Sequence, residues 1–85
     1  MTEKFDSITS FVRKVFSLIG DEKDSYKRSS IVNNWLEDNN VELSTGNDGI
    51  TISSQTAIGK LLTYVLAQHA IQFDEIGLLN REALF

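Results

Sequence analysis

Apolar and polar residues alternate on both sides of Thr45-Gly46-Asn47-Asp48-Gly49. The stretch from Val41 to Ser53 therefore reads as a β-hairpin in a chain whose other apolar residues recur at helical spacing. A two-stranded ribbon is marginal alone, so the hairpin's apolar face must be covered by helices or by a partner. Two registers keep Val41, Leu43, Ile50 and Ile52 on one face. The favoured register pairs Leu43 with Ile50 and Val41 with Ile52, burying both apolar pairs. A slip by two, with Asn47-Asp48 as a tight turn, pairs Leu43 with Ile52 and leaves Val41 opposite Ser54.

Four helices are expected around it. The first covers about 3–19, with Phe5, Ile8, Phe11, Val12, Val15, Phe16, Leu18 and Ile19 on one face and Gly20 as its stop. The second covers about 24–38, with Asp21, Asp24 or Ser25 as its cap. Ile31, Val32, Trp35 and Leu36 form its apolar stripe, and Tyr26 projects away from them. The third covers about 54–71, capped by Ser53 or Ser54, with Ile58, Leu61, Leu62, Val65, Leu66 and His69 on its inward face. Thr56, Lys60 and Thr63 are its polar strip. The fourth covers about 74–83, capped by Asp74, with Gly77 weakening it and an apolar tail behind it. The expected fold is mainly α with a small β-hairpin, in the order α-α-β-β-α-α, as a single domain over residues 1–85.

At 85 residues with 41% apolar content, the chain suits one small core. It contains no cysteine, so neither a disulfide nor a thiolate metal site is available. That composition fits a reducing compartment, and the expected location is cytoplasmic. The stretch from Met1 to Asp6 lacks the profile of a secretory leader, and no apolar run approaches a membrane span.

The net charge is −4, which disfavours nucleic acid. Six of the eight basic residues fall within residues 1–28, where five carboxylates leave a net +1; residues 29–85 carry −5. Two solvated faces account for this distribution, and an acidic patch for a basic partner is the sharper alternative.

Catalytic constellations are missing from the pattern. His69 is the only histidine, and on the apolar face of the third helix it reads as a core residue. No carboxylate pair is placed for glycoside chemistry, and no Gly-rich phosphate loop occurs. An EF-hand counted from Asp38 fails, because its sixth and twelfth positions are Leu43 and Gly49. The length, the acidity and Asp6-Ser7-Ile8 resemble acyl carrier proteins and their attachment triplet. That triplet would have to open the second helix, whereas here it falls within the first, so the resemblance fails.

No enzyme, cofactor or metal is expected. The favoured function is a non-catalytic protein-binding module: a small inhibitor, adaptor or regulatory subunit, with a homodimer as one form of partnership. Tyr26, Glu42, Asp48, Leu78 and Phe85 are its candidate contacts. The alternative is a nucleic-acid-associated regulator using Arg13, Lys14, Lys23, Lys27 and Arg28.

Overall fold

Ser7 decides where the first helix begins. Its backbone is extended and its hydroxyl accepts the Ser10 amide at 3.1 Å, satisfying one of the open first-turn donors. Helix α1 therefore runs Ile8–Ile19, shorter than its periodicity suggests, and the preceding Thr2–Phe5 forms a strand, β1. The computed structural model describes residues 1–44 and 49–84. Its further elements are α2 (Ser25–Asp38), β2 (Asn40–Ser44), β3 (Thr51–Ser53), α3 (Ala57–Glu75) and a short α4 (Arg81–Leu84). The order α-α-β-β-α-α is present as expected, with β1 in front of it, so among the described residues the sheet has three strands.

The sheet order is β1-β2-β3. β1 lies parallel to β2, with Glu3 beside Val41 and Phe5 beside Leu43. A parallel pair needs a long crossover, and α1 and α2 supply it. β2 is thus the central strand, and its Val41 and Leu43 are fully buried.

The hairpin adopts the slipped register. Leu43 pairs with Ile52 and Ser44 with Thr51. Ser54 makes this register possible: its amide donates to the Val41 carbonyl at 2.9 Å, and its hydroxyl accepts the Val41 amide at 2.8 Å. The buried backbone of Val41 is paired without an apolar partner opposite it. Ile50, expected to face the core, is exposed. The turn at Asn47-Asp48 lies outside the described residues.

The core draws its bulk from α1, α2 and β2. Phe11, Val15, Phe16 and Ile19 meet Val32, Trp35 and Leu36 over Val41 and Leu43. Phe5, Phe11 and Trp35 cluster with ring centroids 5.7–6.0 Å apart, and Phe5 meets both of the others edge-on. The Trp35 indole N–H donates to the Glu3 carboxylate, which also pairs with Lys14 at 3.6 Å. Asp24 caps α2, as its sequence position suggests, and Gly20, at φ 54°, ends α1.

α3 starts and ends later than its hydropathy indicates. Thr56 is its cap, accepting the Gly59 amide at 2.9 Å. Gly77 stops it rather than weakening a fourth helix. With Gly77 at φ 76°, its amide reaches the Asp74 carbonyl and the Leu78 amide reaches the Phe73 carbonyl. These are the paired bonds of a Schellman ending. Asp74 then belongs to the last turn of α3, where Arg28 and Arg81 approach it at 3.7 and 3.8 Å.

Candidate functional site

α3 is turned over relative to its expected orientation. Its buried residues are Gly59, Thr63, Ala67, Ala70 and Ile71. Its large residues point outward: Ile58 is 74% exposed, Leu61 62%, Leu62 40%, Tyr64 43%, Val65 37%, Phe73 42% and the adjoining Ile76 67%. His69, expected in the core, is exposed among them and lies 5.9 Å from the Phe73 ring.

The cause lies at the N-terminal end of the helix. A Cβ built on Gly59 would sit 1.8 Å from the Ser53 carbonyl oxygen, so the backbone of α3 rests directly on the end of β3. Only a residue without a side chain fits there. One turn on, the buried Thr63 satisfies its hydroxyl by donating to the Gly59 carbonyl at 2.9 Å. Ala67 and Ala70 continue the same narrow face. Because α1, α2 and β2 already fill the interior with large side chains, α3 approaches with small ones. The signal was in the sequence: Gly59, Thr63, Ala67 and Ala70 recur at helical spacing. Hydrophobicity alone outweighed it.

Polar contacts fix this orientation. The Ser29 hydroxyl donates to the Gln68 side-chain Oε1 at 2.8 Å, and Gln68 Nε2 donates to the Asn33 side-chain Oδ1 at 3.2 Å, both across α2–α3. At the C-terminal end, the Arg28 guanidinium lies 3.7 Å from Asp74 and 3.6 Å from Glu75. Arg81 donates to the Phe16 carbonyl and covers its ring at 4.6 Å.

The outward face is a ridge between two clefts. One, of about 360 Å³, lies against α2 and is lined by Asn33, Leu36, Glu37, Ala57, Lys60, Leu61 and Tyr64. Its rim carries the Lys60–Glu37 ion pair at 2.8 Å. The other, of about 280 Å³, lies against α1, between Ile8, Thr9 and Val12 on one side and Leu66, His69, Ala70 and Phe73 on the other, with Leu79 closing one wall. From Leu61 to Phe73 the chain holds no Asp, Glu, Lys or Arg. The exposed side chains offer several hundred Å² of apolar surface, the size of the largest patch on many monomers and one that is often functional.

The other sequence candidates fall at separate places. Leu78 is exposed just beyond the end of α3 and continues its apolar surface. Tyr26 is 81% exposed on the first turn of α2. Glu42 lies on β2 beside Lys4 in register, and its carboxylate accepts from Asn40 at 3.4 Å. Asp48 and Phe85 lie outside the described residues. Of the basic set, Arg13, Lys23 and Lys27 are exposed, Lys14 pairs with Glu3, and Arg28 is held inside the ion-pair cluster with Asp74 and Glu75.

Among the described residues, no group of three His, Asp or Glu side chains is arranged to hold a metal ion. Among them, too, no helix is long and apolar enough to cross a membrane. No protein-family model, curated protein or solved structure matches the chain.

Proposed function

We propose that the protein is a non-catalytic binding module that captures an amphipathic helix on the outer face of α3. One observation carries this reading: α3 buries Gly59, Thr63, Ala67 and Ala70, with Ile71 as its one fully buried large residue, and exposes Ile58, Leu61, Leu62, Tyr64, Val65 and Phe73. Seven large apolar side chains between 37% and 74% exposed each forgo part of the roughly 1.5–3 kcal/mol that full burial contributes. A partner helix recovers that free energy by laying its own apolar stripe between the two clefts. Leu78 extends the surface beyond the helix end. The chain would then act as an adaptor, inhibitor or regulatory subunit, and its lack of cysteine suits the cytoplasm.

The test is differential capture. Tagged wild-type chain and a Leu62→Glu variant are exposed to extract of the native host, and captured proteins, untagged copies of the chain included, are identified. The expected result is a partner retained at high salt, lost with Leu62→Glu and kept with Tyr26→Ala. Identical capture by wild type and Leu62→Glu would overturn the reading. Nucleic acid bound through Lys23 and Lys27, and released steeply by salt, would put the basic set in its place.

A further inference from the structure

The outer face of α3 carries a spacing that its inner face does not. Ile58, Leu62, Val65, His69, Gln72 and Ile76 follow one another in alternating steps of four and three. This is the a/d repeat of a helix that packs lengthwise on another helix. It persists from the first turn of α3 to its cap, and the only titratable group on it is His69.

Resting on the reading of this face as a helix-binding surface, we infer that its occupant is α3 of a second copy, packed antiparallel about a two-fold axis. A two-fold contact presents the same patch to itself, so the patch must carry no charge that repels its own image. The stretch from Leu61 to Phe73 meets that condition, although the chain as a whole is at −4. The shape is also self-complementary, because the side chains of one ridge, spaced by fours and threes, can interdigitate with those of the same ridge on another copy. Its several hundred Å² per copy, enlarged by the cleft walls, approach the roughly 800 Å² per partner of a standard interface.

Direction follows from the polar positions. A parallel pair would set His69 on His69 and Gln72 on Gln72, and would bring the two Asp74-Glu75 ends together. An antiparallel pair sets Ile58 opposite Ile76, Leu62 opposite Gln72 and Val65 opposite His69. It also places each acidic C-terminal turn beside the positive N-terminal end of the other helix.

Sedimentation velocity on the full chain tests the association. Wild type is expected to be a dimer in the micromolar range, and Leu62→Glu is expected to weaken it by about 30-fold or more. Since the chain has no cysteine of its own, single substitutions report direction. Under mild oxidation, a mixture of Ile58→Cys and Ile76→Cys should cross-link far faster than either variant alone. A wild-type chain that stays monomeric into the millimolar range overturns the inference, as does Ile58→Cys cross-linking to itself faster than to Ile76→Cys. A monomer that still shows Leu62-dependent capture of a different protein would sink the self-pairing alone. The absence of any Leu62-dependent capture would remove the helix-binding reading as well.

Discussion

The two faces of α3 solve opposite problems with one stretch of chain. The inner face, Gly59, Thr63, Ala67 and Ala70, gives up side-chain bulk so that the helix backbone can lie against the end of β3 and the large residues of α1 and α2. The outer face keeps the bulk and leaves it exposed. A helix serving only its own fold would be expected to bury Leu61, Leu62 and Val65 and to turn Thr63 to water. The inversion shows that apolar content does not by itself decide which side of a helix goes in. Distance of approach decides: at Gly59 the helix lies too close to β3 for any side chain, and only near its far end, at Ile71, does a large one fit inside.

Gly59→Ala strikes the inner face where it lies closest to β3. In an ordinary helix interior that change stabilises by about 1 kcal/mol. Here the new Cβ meets a backbone oxygen at 1.8 Å, so the expected result is a loss of about 3 kcal/mol through displacement of the helix. The sign of the shift in a denaturant midpoint is decisive: stabilisation would mean that α3 does not rest on β3.

Arg28→Met should have the next largest effect, because Arg28 ties the far end of α3 to α2. Its side chain is 14% exposed and faces two carboxylates, Asp74 and Glu75. Removing it leaves Arg81 as the cation against Asp74 and takes the guanidinium away from Glu75, at about 2 kcal/mol. Thermal unfolding should report the loss. A change below a few tenths of a kcal/mol would mean that the inner face alone holds the helix down.

Ser54→Ala tests the strand on which α3 sits. It removes the acceptor of the buried Val41 amide, and an unsatisfied buried donor costs about 1–2 kcal/mol. Hydrogen exchange at Val41 should quicken. If it does not, the slipped register is not held by Ser54.

The parts legible in the sequence are those set by local chemistry. Asp24 is a cap and Gly20 a stop because one backbone group needs one side chain or one dihedral. The stripes of α1 and α2 were readable because those helices do pack with their largest residues inward. β1 is hidden because Thr2–Phe5 is short and Phe5 continues the helical spacing of Ile8 and Val12; only the open edge of β2 makes it a strand. Apolar pairing favours the other register, but the two hydrogen bonds of Ser54 with Val41 hold the slipped one. The candidate surface was misassigned for a related reason. Leu61, Leu62 and Val65 were counted as core, when the small residues between them mark where the core lies. Leu78, which shares a face with Phe85 in the expected fourth helix, instead lies exposed just beyond the end of α3. Tyr26 and Glu42 lie on elements remote in sequence from it.

The smallest expected effect in monomer stability belongs to the outer face itself. Leu62→Gln changes a side chain that is already 40% exposed, so at dilute concentration the unfolding free energy should move by no more than about 0.5 kcal/mol. Its value as a test lies in how that number depends on concentration. A self-associating chain gains apparent stability as protein is added, because the folded dimer is populated by mass action. The wild-type melting midpoint should therefore climb with protein concentration, while that of Leu62→Gln stays nearly flat and meets the wild-type value at the dilute end. If instead Leu62→Gln loses about 2 kcal/mol or more at every concentration, Leu62 is a core residue, and the two faces of α3 are not the opposites described above.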